Sequence, residues 1–377
     1  MELKKPFCLM PWIHFHVGDN GVAKACCVAN IKYGNINSNS LEEIWNGTQI
    51  NKLREKFANG VLDKRCAVCI NSENSGATSI RQETLKKYPN IHIRKNSEPI
   101  YFDIRFSNVC NLKCRTCWHG ASSSWFEDAK KLGTNKGKKA VIKNIEDFNL
   151  FISKVGPYLL KAKEIYLAGG EPLVTEEHYL LLDWLIKNGA TQMKLRYNTN
   201  FTVLKYKGKS VLDLWKHFTH VEILASLDAK GDLASYVRSN SNWNEILTNF
   251  SSVQQLAHVS IQIAPTISNL NVEFLPDLIT ECINNNLITE QDIYINILDR
   301  PVHYNIQALP PEKKQIITQK LMNFGKAKSL TLKTQLQEIV TYMNAKDQCN
   351  HWPKYVSENQ LLNQLRNESH PIKTRII

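Results

Sequence analysis

The chain has 377 residues, 43% of them apolar, and 47 Lys and Arg against 35 Asp and Glu give it a net charge of +12. That length can bury a sizeable core and hold two domains, and no apolar run is long enough to span a bilayer. The lysines are scattered apart from short runs such as Lys136-Gly137-Lys138-Lys139. No RNA-binding module accompanies them, so the charge reads as a solvated face and nucleic acid is not the favoured partner.

Ten cysteines without a signal peptide are hard to explain as disulfides, which points to the cytoplasm. Five lie before residue 70: Cys8, Cys26, Cys27, Cys66 and Cys69. After Cys8, the run Pro11-Trp12-Ile13-His14-Phe15-His16-Val17 leads into Gly18-Asp19-Asn20-Gly21, a hairpin turn, and residues 22–26 return. Such a hairpin brings Cys8 and Cys26 to the same end. Gly34-Asn35-Ile36 follows. Ser40-Leu41-Glu42-Glu43 is then a capping box that opens a helical region, with Leu41, Ile44, Trp45, Ile50, Leu53 and Phe57 at its apolar positions. Cys66-Ala67-Val68-Cys69 closes the segment as a metal knuckle. Hairpin cysteines and a CxxC pair can build a four-thiolate site, in which Cys27 competes with Cys26. A zinc ribbon using His14 or His16 is the rival. The two histidines alternate along a strand and read as surface or packing residues. Residues 71–99 are polar and read as a linker with one helix.

From Ile100 onward, strands and helices alternate. A strand over 101–106 precedes Cys110-Asn111-Leu112-Lys113-Cys114-Arg115-Thr116-Cys117. Three soft thiolates in one short loop can hold three irons of a cubane and leave the fourth open, whereas most iron–sulfur proteins close the cluster with four cysteines. Zinc is again the rival, although its usual signature is paired CxxC knuckles. A strand over 164–168 runs into Gly169-Gly170-Glu171-Pro172, and a helical pattern follows over 175–188. The glycines let backbone approach a ligand, and Glu171 places a carboxylate at the carboxyl end of a strand, where α/β folds bind ligands. Further strands begin near Lys194, Val221, Val259 and Ile293, separated by helical runs such as 144–155, 243–257 and 275–285. Six βα repeats fit a partial (β/α) barrel. Beyond Asp299, helices near 313–324, 332–343 and 358–366 read as a tail. Cys282 reads as a buried thiol in a helix, and Cys349 and His351 as loop residues.

CxxxCxxC after a first strand and Gly-Gly-Glu after a second resemble the radical S-adenosylmethionine (radical SAM) superfamily. Arg196-Tyr197-Asn198-Thr199-Asn200 looks like that family's third-strand end, and Leu224-Ala225-Ser226-Leu227-Asp228, followed by Arg238, like its fourth. The resemblance implies an α/β, six-fold open barrel. It implies that Cys110, Cys114 and Cys117 hold a 4Fe–4S cluster whose open iron is chelated by SAM. It also implies that Gly169, Gly170 and Glu171 bind the cofactor, with Glu171 receiving the SAM ammonium. Ser226 and Arg238 hold its carboxylate or ribose, and Asn198 and Asn200 line the same mouth. The chain departs from the family where an aromatic or large apolar residue often precedes the third cysteine to face the adenine: Thr116 stands there, and Trp118 follows the loop. His119, beside the loop, reads as a polar loop residue.

The segment from Cys8 to Cys69 resembles the cluster-binding half of the SPASM/twitch domain that accompanies many such enzymes, placed here ahead of the barrel. The resemblance implies an auxiliary 4Fe–4S cluster on Cys8, Cys26, Cys66 and Cys69. The expected organisation is an auxiliary iron–sulfur domain over residues 1–72, a linker over 73–98, the barrel over 99–309 and a helical extension over 310–377. The expected function is reductive SAM cleavage to a 5′-deoxyadenosyl radical that takes a hydrogen atom from a peptide, protein or small metabolite. A flavodoxin or ferredoxin is the expected electron donor, and no membrane is involved. The rivals are radical RNA modification and a non-catalytic, metal-stabilised binding protein. No cobalamin-binding domain is visible.

Overall fold

Four short stretches alternate polar and apolar side chains: His14-Phe15-His16-Val17, Tyr101-Phe102-Asp103-Ile104, Glu164-Ile165-Tyr166-Leu167 and Lys194-Leu195-Arg196-Tyr197. Successive strand side chains point to opposite faces, so this pattern builds a sheet with one apolar and one polar side. The computed structural model of the protein describes residues 6–74, 78–91, 93, 97–135, 137 and 139–372; Lys136 and Lys138 of the basic run lie outside them. In it the four stretches are parallel neighbours, with His14 opposite Tyr101, Tyr101 opposite Glu164 and Glu164 opposite Lys194.

The protein is an α/β chain with a mostly parallel sheet, and it forms two compact units. The first comprises Met1–Val109, Val141–Tyr197 and Asp213–Val221. Its strands follow the order Lys32–Asn35, Val22–Lys24, His14–Val17, Tyr101–Ile104, Glu164–Leu167 and Lys194–Thr199. The expected hairpin is present, with His16 opposite Lys24, and Lys32–Asn35 adds a third antiparallel strand. The hairpin does not build a sheet of its own, because His14–Val17 also pairs in parallel with Tyr101–Ile104. On the apolar face Phe15, Val17, Phe102, Ile104, Ile165, Leu167, Leu195 and Tyr197 are each at most 1% exposed. Burying one such large side chain contributes about 1.5–3 kcal/mol. Phe15 meets Trp45 of the helix Leu41–Trp45, and the capping box forms as read: the Ser40 hydroxyl accepts from Glu43 N at 3.1 Å and Ser40 N donates to the Glu43 carboxylate at 2.8 Å.

Of the two readings left open for the histidines, the polar face bears out packing. His14 and His16 are 1% and 3% exposed. His14 Nδ1 lies 3.3 Å from the Ala25 carbonyl, and His16 Nδ1 lies 2.8 Å from Asp103 Oδ2. Glu164 is equally buried and is held by Lys87 and by the Tyr88 hydroxyl at 3.1 Å. Lys87 and Tyr88 close the helix Ile80–Lys87, the one helix expected in the polar 71–99 stretch; Ser79 and Gln82 form its capping box.

The second unit comprises Cys110–Ala140, Asn198–Leu212 and Glu222–Ile377. The strand Val259–Ile263 neighbours His220–Ala225. The strand expected over 293–297 is reduced to Asn296–Ile297, paired in parallel with Thr266–Ile267, and a single bridge from Ile263 to Ile293. The tail helices are Pro311–Gly325, Leu330–Asn344 and Trp352–Arg366. The last begins six residues earlier than expected because Pro353 sits in its first turn, where its missing N–H costs nothing. Cys282 is fully buried, as expected of a packing thiol. No helix among the described residues is long and apolar enough to cross a membrane.

His178, in the helix Glu176–Lys187, is also fully buried, with Nε2 2.9 Å from the Tyr197 hydroxyl. Burial pushes its pKa down to about 3 and that of His14 down to about 4. Both rings are held neutral in the folded state, so folding is favoured above the ordinary histidine pKa and weakens as pH falls below it. Urea unfolding should lose up to about 1.4 kcal/mol per pH unit for each buried ring below pH ~6.5. His178→Phe should remove one ring's share of that slope, and an unchanged slope would contradict the assignment.

Candidate metal centres and cofactor site

The first candidate centre lies wholly in the first unit. Cys8, Cys26, Cys66 and Cys69 line one cavity, whose other walls include Met10, Phe57, Leu62 and Ile80. The hairpin delivers Cys8 and Cys26, and the turn Lys64–Cys66 running into the helix Ala67–Asn74 delivers Cys66 and Cys69. Cys27 is not part of this lining; it is exposed, whereas Cys26 is buried. In this bend after the strand, Cys26 thus faces the cavity and Cys27 does not.

The cavity wall is apolar apart from one cation, Arg81. Burial pushes the Cys8 thiol up to about 12 and the Cys66 thiol up to about 11, and raises Cys26 and Cys69 as well. Thiolates in such surroundings need a positive partner, which a metal cluster supplies, and its binding releases protons. Arg81 donates to the Phe7 carbonyl at 2.8 Å and is anchored by Glu73, with Nε 2.9 Å from Oε1. It places a guanidinium beside a four-thiolate set whose cluster carries net negative charge. The donor set fits a four-cysteine iron–sulfur cluster. The histidines of the zinc alternative point elsewhere, to Ala25 and Asp103. Arg81 was missed in the sequence because it falls in the polar stretch read as a linker.

The second candidate centre is the loop of the second unit. Here Lys113–Cys114 is a two-residue strand paired antiparallel with Arg238–Ser239, and the rest of the loop is irregular backbone. Its polar groups are met by a run of side chains just downstream. Cys110 N donates to the Ser123 hydroxyl at 3.2 Å, and the Ser124 hydroxyl donates to Cys110 O at 2.7 Å. The Ser122 hydroxyl donates to Leu112 O at 2.7 Å, and Trp125 Nε1 to Cys114 O at 2.8 Å. Burial raises the Cys114 thiol, against the pull of Arg238, and pushes Cys117 up to about 12. No three His, Cys, Asp or Glu side chains among the described residues close on a single ion. In a cubane each thiolate meets a different iron.

Among the cofactor residues, Asn200 lies against this loop. Its amide donates to Asn111 Oδ1 at 2.8 Å and reaches Cys110 Sγ at 4.0 Å. Arg238 does as well, with Nη1 3.8 Å from Cys114 Sγ and Nε 2.7 Å from Asp228 Oδ2. The guanidinium expected to hold the SAM carboxylate or ribose is thus engaged by a carboxylate and a candidate cluster sulfur. Ser226 is half-buried, its N–H on Thr199 O at 2.8 Å. The buried Oδ1 of Asn198 has no hydrogen-bond partner among the described residues. Trp118 is 61% exposed and meets His119 edge-on, and Thr116 is half-buried. Cys349 belongs to the turn Cys349–His351 ahead of the last helix.

The Gly169-Gly170-Glu171 turn belongs to the first unit. Both glycines have positive φ, +83° and +54°. A methyl group on Gly170 would collide with the Val109 carbonyl, and one on Gly169 would lie 2.8 Å from Arg105 Cβ. Glu171 N donates to the same Val109 carbonyl at 2.7 Å, and the Glu171 carboxylate, 1% exposed, accepts from Leu173 N at 3.0 Å. Both contacts are made to Val109, within the first unit.

Residues 8–70 match SPASM, an iron–sulfur cluster-binding domain. The curated proteins give no match. Among solved structures, the chain is similar to Streptococcus suis SuiB bound to S-adenosylmethionine, at 15% identity and a TM-score of 0.38, over 75% of this chain and 56% of SuiB. It is also similar to TYW1 with a lysine–pyruvate adduct bound, at 13% identity and a TM-score of 0.33, over 57% of this chain and 70% of TYW1. This chain therefore spans a little over half the length of SuiB.

Two predictions follow from this geometry. After anaerobic reconstitution, Cys26→Ser should lose the first-unit cluster, seen as about half the bound iron if both sites take four irons, while Cys27→Ser keeps the wild-type content. Arg115 is the second test. It is fully buried, and its guanidinium binds Tyr236 O at 2.9 Å, Asn359 at 3.2 Å, Asn363 at 2.8 Å and Glu368 at 2.5 Å while lying 3.6 Å from the centre of the Tyr236 ring. Arg115→Ala should destabilise the second unit by about 3 kcal/mol, read as a lower unfolding midpoint, because it strips the Arg115 guanidinium from a buried network.

Proposed function

We propose that this protein is a radical SAM enzyme with an auxiliary iron–sulfur cluster, built on an open six-stranded (β/α) barrel. The observation that carries this reading is the Cys110–Cys117 loop: three cysteines within eight residues, on backbone that is irregular except for the pair Lys113–Cys114. Cys110, Cys114 and Cys117 hold a 4Fe–4S cluster with one open iron, and Cys8, Cys26, Cys66 and Cys69 hold a second cluster. When bound, the first cluster and SAM supply one-electron cleavage to methionine and a 5′-deoxyadenosyl radical, which takes a hydrogen atom from a substrate carbon.

The chain's own residues position and insulate this chemistry. The glycines at 169 and 170 let the turn close onto Val109 and the Arg105 stem, which fixes the position of Glu171. By this reading the Glu171 carboxylate, placed at the end of its strand, would receive the SAM ammonium. Arg238 and Asn200 donate toward the Cys114 and Cys110 sulfurs, which favours the more reduced cluster by stabilising negative charge. The substrate is a peptide, protein or small metabolite, and a flavodoxin or ferredoxin delivers the electron.

The test is product formation. Reconstituted protein given SAM and dithionite should yield 5′-deoxyadenosine and methionine, and Cys114→Ser should reduce the yield to background. Protein that carries its clusters but leaves SAM intact would overturn the reading in favour of a metal-stabilised binding protein.

A further inference from the structure

A second set of charged side chains occupies the polar sheet face of the first unit. The strand register places His16, Asp103, Tyr166 and Arg196 in one row across four parallel strands. Arg105 follows one residue beyond its strand and turns back onto Asp103, with Nε 3.2 Å from Oδ1 and Nη2 3.4 Å from Oδ2. Asp103 Oδ2 also holds His16 Nδ1 at 2.8 Å. Both carboxylate oxygens are therefore engaged, and the residue is 2% exposed. Burial opposes its charge, but Arg105 and His16 keep its carboxyl well below the usual range.

Asp103 acts here as a holder. The Arg105 side chain is 30% exposed, and its Nη1 edge has no partner among the described residues. A guanidinium fixed on one edge by a carboxylate and open on the other is pre-organised for a planar anion. Arg196 adds a second cation, 5.8 Å from the centre of the Tyr166 ring. Tyr166 stays neutral because burial raises its pKa, and His14 stays neutral because burial lowers its pKa. The location of the row is specific, since the Arg105 stem lies against Gly169, where a methyl group would sit 2.8 Å from Cβ and 3.3 Å from Cδ. Cys27 is exposed at the same place, and Asp103 and Arg105 are the charges it feels most strongly.

We propose that Arg105, locked by the buried Asp103–His16 pair, recognises a carboxylate group of the substrate beside the Gly-Gly-Glu turn. This rests on the reading that SAM binds at that turn. It narrows the substrate to a molecule with a free acid, either a small acid or an acidic or C-terminal peptide carboxylate.

Cys27 serves as the reporter. The fully reconstituted protein is alkylated with iodoacetate, which is anionic, or iodoacetamide, which is neutral, and labelling at Cys27 and at Cys349 is followed by peptide mass spectrometry. The iodoacetate-to-iodoacetamide rate ratio at Cys27 should exceed that at Cys349 by about threefold or more, fall to the Cys349 level in Arg105→Gln and persist in Arg105→Lys. On the wild-type protein alone, millimolar glutarate should slow iodoacetamide labelling of Cys27, and its neutral diamide should not. Equal ratios in wild type and Arg105→Gln, equal effects of glutarate and the diamide, or a Cys27 that neither reagent labels would overturn the proposal. SAM cleavage measured on the same preparation separates the two readings: cleavage with a flat ratio sinks the carboxylate site alone, and a charge-dependent ratio without cleavage sinks the SAM reading alone.

Discussion

A loop that offers three thiolates to one cluster must give up regular secondary structure, and its backbone polar groups must then be paired by something else. This constraint organises the second unit. Ser122, Ser123, Ser124 and Trp125 supply hydrogen bonds from immediately downstream. The rest comes from the far end of the chain. Arg366 donates to Lys113 O and Ser239 Oγ, pairs with Asp128 and covers the Trp125 ring, while Arg115 reaches into the last helix at Asn359 and Asn363. The helical tail is therefore a clamp on the cysteine loop. An irregular loop held this way keeps its sulfurs in place without a fourth protein ligand, which is the condition for an open metal position.

The first unit solves a different problem with one device. A single period-two alternation, repeated on four strands, makes an apolar face that buries aromatic and aliphatic side chains and a polar face that concentrates titratable groups. Burying Asp103, Glu164 and two histidines is costly unless each finds a partner, and each does: Arg105 and His16, Lys87 and Tyr88, Ala25. Polar groups fixed on strands are held more rigidly than on loops.

Much of this was legible in the sequence where the determining contacts are short in range. The hairpin turn, the Ser40 capping box, the cysteine spacings and the Gly-Gly-Glu turn each depend on residues a few positions apart, and each appears where the pattern puts it. The alternation in His14-Phe15-His16-Val17 was also visible, but its meaning was not. Whether His16 faces solvent or a buried carboxylate depends on a strand 87 residues away that it meets only in the folded sheet (Asp103 opposite His16). Arg115 gave no local signal either, because its partner Asn359 is 244 residues distant. Arg81 was hidden by composition: a polar stretch contained a helix whose cation is held by Glu73 and faces the cysteine cavity.

The central claim is an iron in the mid-chain cluster that lacks a protein ligand and takes SAM. Electron paramagnetic resonance of the dithionite-reduced cluster, recorded in a Cys66→Ser/Cys69→Ser background that removes the auxiliary signal, tests it directly. Adding SAM should shift the g-values of the remaining cluster, and SAM carrying 17O in its carboxylate should broaden the signal by coupling to the iron. A spectrum indifferent to SAM, from a cluster that is present and reduced, would contradict the account.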